Sequence, residues 1–142
     1  MKASVVLCTY NRASYLRVFL DNFLKQNFST SEYELIIVND GSVDDTNSVV
    51  SSFQEVLPIK YLNLEKNVGK DKAVFIGAGA ATTENLLFTD DDCMVDPDWI
   101  NTMIKELETA PLVAGRITTP EKPYLTLCRN ISEFHDFMVL QP

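Results

Sequence analysis

Asp90-Asp91-Asp92 follow directly on Leu86-Leu87-Phe88-Thr89. A short apolar run that ends in charge reads as a buried strand surfacing at its C-terminal end. Side chains alternate along an extended chain, so Asp90 and Asp92 are expected on one side and Asp91 on the other. Adjacent carboxylates repel one another unless something positive sits between them. An all-oxygen site of this kind suits the hard ions Mg²⁺ and Mn²⁺, which tend to bring substrate phosphates with them. A solvated acidic turn ahead of a helix is the plain alternative.

The elements that must position these groups alternate along the chain. Ala3 to Cys8 is short and apolar and reads as a strand. Leu16, Phe19, Leu20, Phe23 and Leu24 carry helical spacing over Ala13 to Gln26. Glu34 to Val38 is a second buried-type strand, ended by the turn Asn39-Asp40-Gly41-Ser42. Ser42 and Asp45 resemble a capping box for a helix over 44–55. Ile59 to Leu64 is a third strand. Asn67-Val68-Gly69 is a loop, followed by a helix to about Ala81, and Asn85 to Thr89 is a fourth strand. Asp96-Pro97 supplies an N-cap and a first-turn proline for a helix to Glu108. Leu112 to Ile117 reads as a fifth strand. Beyond Thr118, Pro120 and Pro123 mark a loop, and 124–137 reads as a helix or a lid. Such alternation predicts a three-layer α/β/α domain with a mostly parallel sheet. Ligands bind beyond the carboxyl ends of such strands. Three polar groups fall there: Thr9-Tyr10-Asn11-Arg12, Asn39-Asp40-Gly41-Ser42 and the Asp triplet.

The bulk properties narrow the class. A chain of 142 residues suits one domain with its own core. With 46% hydrophobic and 23% charged residues it is expected to be globular. Its net charge of -8, with no Lys/Arg stripe, argues against nucleic acid as a partner. An acidic chain that binds phosphates needs local compensation by metal, lysine or backbone N–H groups. Cys8, Cys93 and Cys128 lack metal-ligand spacing and read as reduced thiols, which points to a cytoplasmic setting. No signal-peptide pattern, transmembrane segment, repeat or low-complexity stretch is evident.

Taken in order, Val5-Val6-Leu7-Cys8-Thr9-Tyr10-Asn11-Arg12, Ile36-Ile37-Val38-Asn39-Asp40-Gly41-Ser42, Asn67-Val68-Gly69-Lys70, Phe88-Thr89-Asp90-Asp91-Asp92 and Asp96-Pro97-Asp98-Trp99 form a recognisable series. The series resembles the nucleotide-sugar half of family 2 glycosyltransferases, which have the GT-A fold, over residues 3–117. The resemblance implies a nucleoside diphosphate sugar as donor, commonly a UDP-sugar, and Mn²⁺ or Mg²⁺ as cofactor. It implies inverting transfer to a saccharide or lipid-linked acceptor, with bacterial surface polysaccharide synthesis as the setting. That setting would be cytoplasmic or at the cytoplasmic face of a membrane; a homodimer is allowed for. By the same resemblance Thr9, Tyr10, Asn11, Asp40, Lys70 and Asp91 bind the nucleotide. Tyr10 would stack on the base and Asp40 would accept its N–H, as a carboxylate can from an imide. Asp92 would be the main metal ligand, and Asp90 would meet the ribose or the metal's water shell. Gly69 would let the backbone approach the nucleotide. Many relatives carry Ala-Arg-Asn after this loop, whereas this chain has Ala73-Val74-Phe75, so the cationic role falls to Lys70 or Lys72. Arg12 reads as a solvated residue near a helix start, and Trp99 as a core residue.

The family's catalytic base lies in an acceptor-binding half, and only 50 residues follow Asp92 here. Glu133, His135 and Asp136 are titratable and late, but no motif marks them, and His135 reads as a surface residue. The chain is therefore expected to be truncated at its C-terminus or a minimal member, with residues 1–117 binding donor and 118–142 beginning an acceptor-side segment or lid. The rival readings are a non-catalytic nucleotide-sugar-binding module and, further off, a DxD phosphohydrolase with Asp90 as nucleophile or a receiver domain phosphorylated at Asp40.

Overall fold

The computed structural model describes residues 1–116. Four parallel strands, β1 (Ala3–Thr9), β2 (Tyr33–Asn39), β3 (Ile59–Asn63) and β4 (Leu86–Asp90), form one sheet in the order β3-β2-β1-β4. Four helices lie between and after them: α1 (Ala13–Phe23), α2 (Thr46–Phe53), α3 (Lys70–Gly79) and α4 (Trp99–Leu107).

Both faces of the sheet are covered, which explains why β1 and β2 read as continuous apolar runs. Val5, Leu7, Leu35, Ile37 and Leu87 point to one face. There they meet Leu16, Phe19, Leu20 and Phe23 of α1, Val49, Val50 and Phe53 of α2, and Ile100 of α4. Each such side chain contributes about 1.5–3 kcal/mol on burial, so this face holds the main core. Trp99 packs half-buried at its margin, as expected. Val6, Ile36 and Val38 point to the other face, where α3 docks through Ala73 and Gly77. A Cβ on Gly77 would lie 2.6 Å from Val6 Cγ1, so the missing side chain sets how closely α3 approaches the sheet.

The strand order decides where a ligand can sit. The chain moves outward from β1 through β2 to β3, then crosses to the other side of β1 for β4. β1 and β4 therefore flank a topological switch point, the usual ligand crevice of such sheets. In register, Thr9 lies beside Asn39 and Cys8 beside Asp90, so the three polar strand ends come out level.

Four local expectations are corrected. Leu112 to Arg116 form no strand among the described residues: Leu112 is exposed, and no strand is there to share a ladder. The capping box is not made, because the Ser42 hydroxyl accepts from the Asn11 N–H at 2.9 Å instead. The helix opens at Thr46, where Asp44 takes both the Thr46 N–H and its hydroxyl. Asp96 is not the N-cap of α4. Its carboxylate and carbonyl accept from the Asp98 and Trp99 N–H groups, so Asp96-Pro97-Asp98 is a turn and α4 starts after it. Finally, α1 ends at Phe23 rather than Gln26, because the Lys25 and Gln26 N–H groups bond three residues back, to Asn22 and Phe23, instead of four. Ile117 and the loop and the helix or lid expected beyond it lie outside the described residues.

Gly41 ties the second strand end to the loop ahead of α3. It has φ +73°, and an added Cβ would lie 2.5 Å from the Lys66 carbonyl carbon and 2.6 Å from the Asn67 nitrogen. Left-handed backbone costs an L-residue roughly 1–2 kcal/mol, and the clash adds to that. Gly41→Ala is expected to lower stability by about 2 kcal/mol or more, read as a shift of the urea unfolding midpoint. An unshifted midpoint would mean that the two loops do not depend on this contact.

Candidate functional site

The Asp triplet sits where β4 ends. Asp91 is buried, whereas Asp90 and Asp92 are half exposed. The expectation that Asp90 and Asp92 share one side is corrected: β4 ends at Asp90, the chain turns at Asp91-Asp92, and Arg12 reaches both of these while Asp90 meets Lys70. Thr9, the last residue of β1, donates its hydroxyl to Asp91 Oδ2 at 2.8 Å. Arg12 then closes over the cluster, with Nη1 3.2 Å from Asp91 Oδ1 and Nη2 2.8 Å from Asp92 Oδ2. Its guanidinium also lies over the Tyr15 ring, 4.5 Å from the centroid. Lys70, the first residue of α3, reaches Asp90 Oδ1 at 2.8 Å. The positive groups that the triplet requires are thus supplied by the chain itself. Arg12 is not a free residue at a helix start. The only sequence sign was an arginine at a strand end facing an acidic cluster in a chain of net charge -8.

These contacts shape the protonation of the site. Burial raises Asp91 above its ordinary value, and the Thr9 hydroxyl and Arg12 oppose it. The hydrogen bond to Asp90 raises Lys70, and that to Asp92 raises Arg12, so both stay charged. Cys8, half-buried among Asp40, Lys70 and Asp91, is pushed up to about 11, first by burial and then by the Asp40 charge. It is a neutral thiol at the floor of the site rather than a nucleophile.

Asp40 is almost fully buried. Its two oxygens accept from the Val68 N–H at 2.7 Å and the Gly69 N–H at 3.0 Å. It therefore fastens the loop ahead of α3 to the end of β2. Gly69 has φ +91°, and a Cβ there would meet nothing within 4 Å, so the loop is open on that side. Asn11, with φ 52°, uses its amide oxygen to accept the Val43 N–H at 2.8 Å and so braces the first loop against the second. Tyr10 is left 45% exposed beside them, with its ring available. Lys70 reaches the cluster, whereas Lys72 is exposed on α3. The structure thus brings Thr9, Tyr10, Asn11, Asp40, Lys70, Asp90, Asp91 and Asp92 to one crevice, though Thr9, Asn11 and Asp40 hold it together from inside.

A second set of residues was not legible as functional. Asn22 of α1, with Gln26 and Asn27 just beyond it, holds the segment after the triplet. Asn22 Oδ1 accepts from the Val95 N–H at 2.8 Å, and Gln26 Oε1 from the Ile100 N–H at 3.2 Å. The Asn27 N–H donates to the Pro97 carbonyl at 2.7 Å. These polar residues at a helix end carry no sequence signal that distinguishes them from solvated ones.

A family model described as "Glycosyl transferase family 2" matches residues 4–128. The chain belongs to that family. An uncharacterized glycosyltransferase of Bacillus subtilis, YwdF, is 38% identical over 113 residues, covering 80% of this chain and 41% of that protein. The crystal structure of Staphylococcus aureus TarS 1-349 in complex with UDP-GlcNAc superposes with TM-score 0.73 at 28% identity, over 84% of this chain and 37% of that one. The mannosyltransferase PcManGT of Pyrobaculum calidifontis, in complex with GDP-Man and Mn²⁺, gives TM-score 0.60 at 29% identity, over 64% of this chain and 27% of that one. The chain spans less than half the length of these relatives. Its α/β domain is that of the GT-A glycosyltransferases, as the family 2 motifs imply.

The Thr9–Asp91 bond yields a pH-dependent prediction. A carboxyl with a raised pKa in the folded state contributes stability fully below its unfolded value of about 3.9, and loses it as pH rises through the folded value. Thr9→Val removes a donor to the ionised carboxylate and raises Asp91 further. The variant is expected to be less stable by about 1–3 kcal/mol, with a deficit that widens as pH rises from about 4 to 7. Urea unfolding at the two pH values checks this. A deficit that does not change with pH would show that Thr9 does not support the ionised form.

Proposed function

We propose that residues 1–117 form the donor half of an inverting glycosyltransferase that binds a nucleoside diphosphate sugar, a UDP-sugar by preference, together with Mn²⁺ or Mg²⁺. Residues 118–142 then begin the acceptor side, and the acceptor is a saccharide or a lipid-linked saccharide. The observation that carries this reading is the convergence of three strand-end loops at the switch point. The loop after β1 carries the exposed Tyr10, and carboxylates with paired cations stand at the end of β4. The TarS and PcManGT complexes, which hold UDP-GlcNAc and GDP-Man with Mn²⁺, support it as relatives of the same fold. No helix among the described residues is long and apolar enough to cross a membrane.

The donor set fits a hard divalent ion. Asp90 and Asp92 offer only carboxylate oxygens, half exposed, and the places of positive charge beside them are held by Lys70 and Arg12 as stand-in cations. Among the described residues no three Asp, Glu, His or Cys side chains form a ready cage. That suits an ion of the Mg²⁺ type, which takes one or two carboxylates and completes its shell with phosphate and water. When bound there it would supply Lewis-acid stabilisation of the departing diphosphate.

The strand-end residues have distinct parts in this reading. Tyr10 stacks on the base. Asp40 fixes the 67–69 loop that forms the base pocket, and the lone pairs left on its oxygens can take an imide N–H. Asn11 and Gly41 hold the two loops in register beneath the base. Lys70 faces the diphosphate, where negative charge grows as the glycosidic bond breaks. Asp91 stays with Thr9 and Arg12 and keeps the end of β4 in place. Inversion needs a base to take the proton of the acceptor hydroxyl. The resemblance places that base on the acceptor side, and no residue of this chain is assigned to it.

Calorimetric titration with UDP, GDP and CDP, each with and without Mn²⁺, tests the reading. UDP is expected to bind most tightly, and only with the metal. Asp92→Asn should lose most of the metal-dependent affinity at an unchanged melting temperature. A variant that binds UDP with Mn²⁺ as well as the parent would overturn the metal assignment. Tyr10→Ala should weaken UDP by about 1–3 kcal/mol, the usual value of one base–aromatic stack. Unchanged affinity would remove Tyr10 from the base pocket.

A further inference from the structure

Two cations neutralise the triplet, and they come from opposite faces of the sheet. Arg12 precedes α1, which packs on the face of Val5 and Leu7, and it holds Asp91 and Asp92. Lys70 opens α3, which packs on the face of Val6, and it holds Asp90. Asp90 is therefore drawn toward one helix and Asp92 toward another. The lack of a ready cage among the described residues agrees with this.

The strengths of these pairs differ in a way that matters. Asp91 is buried and has the Thr9 hydroxyl as well as Arg12, so it is expensive to release. The Lys70–Asp90 and Arg12–Asp92 pairs are not. Lys70 is 63% exposed and Arg12 39%, and Asp90 and Asp92 are both near half. Exposed pairs of this sort contribute little and are readily exchanged. Three carboxylates and two cations also leave the cluster one negative charge. A divalent ion alone would turn that into a positive excess. A diphosphate ester, with two negative charges, would restore the starting balance.

We propose that Lys70 and Arg12 are exchangeable counter-cations that hold Asp90 and Asp92 apart in the donor-free protein. On this reading the ion and the diphosphate enter together. Asp90 and Asp92 would turn to the ion while Lys70 and the Arg12 Nη2 that held Asp92 turn to the diphosphate oxygens, with Arg12 Nη1 staying on the buried Asp91. Both are positioning residues: they weaken binding of the ion alone and then help to hold the donor. The inference rests on the donor-site reading above. Ion and nucleotide then strengthen each other's binding by the same factor. Removing either cation has opposite effects on the two ligands, which a merely structural side chain would not produce.

The full 142-residue chain is titrated with Mn²⁺ alone, followed by the free-ion electron paramagnetic resonance signal, and with UDP at saturating Mn²⁺ by calorimetry. Lys70→Gln is expected to bind Mn²⁺ alone about two- to fivefold more tightly than the parent. It should bind UDP with Mn²⁺ about tenfold more weakly. Lys70→Arg should restore both values toward the parent. Arg12→Gln should show the same inversion and serves as the second variant. If Mn²⁺ affinity without nucleotide is unchanged or weaker in both glutamine variants, or UDP affinity is unaffected, the inference is overturned while the donor site stands. If the parent binds no UDP with Mn²⁺ at all, the donor-site reading fails and takes this inference with it.

Discussion

Three consecutive carboxylates at the end of a strand are a constraint that the neighbouring structure must meet. Unit charges about 4 Å apart interact by roughly 1 kcal/mol in water and several times more near a protein surface. One of the three, Asp91, is buried as well. The chain meets the constraint with Thr9 and Arg12 from the first strand end and Lys70 from the start of α3. That is possible only because β4 lies beside β1, with Cys8 level with Asp90. The crossover that places β4 there also creates the crevice. The topology that makes the acidic cluster tolerable is therefore the one that makes it useful.

Division of labour between core and site follows from magnitudes. The apolar side chains packed beneath α1, α2 and α4 supply the free energy that holds the sheet together. The ion pairs at the crevice are exposed and contribute little to stability. They can change partners without cost to the fold. Between these extremes lie the buried side-chain bonds of Thr9 and Asp40, which fasten loops to strand ends. A carboxylate that accepts two backbone N–H groups, as Asp40 does, holds a loop more firmly than a surface pair could.

The segment after the triplet is held from an unexpected direction. Asn22, Gln26 and Asn27 lie at or just beyond the end of α1 and bond to main-chain groups between Val95 and Ile100. Beyond Phe23 the backbone tightens into i→i−3 bonds, from the Lys25 N–H to the Asn22 carbonyl and from the Gln26 N–H to the Phe23 carbonyl. The first helix thus serves the site at both ends, through Arg12 at its start and these amides at its finish.

Several features were already legible in the amino-acid order. Apolar runs mark four strands and helical spacing marks α1, because burial on one face or two imposes a pattern that survives in the sequence, while turn and cap residues or composition mark the other three helices. The placement of polar residues at strand ends marks the crevice, and the serial order of the motifs marks the family. Partnership was not legible. Arg12 and Asp92 are 80 positions apart and Ser42 and Asn11 are 31 apart, so nothing local tells a clamped arginine from a solvated one, or a brace from a cap. The stretch from Leu112 carries a strand-like composition but has no ladder partner among the described residues, and a strand exists only by pairing. The sequence by itself determined which residues could do chemistry and at which strand ends they stand. Tertiary structure alone decided which of them face the crevice and which are spent holding it, since a hydrogen bond depends on where the partner's atoms lie.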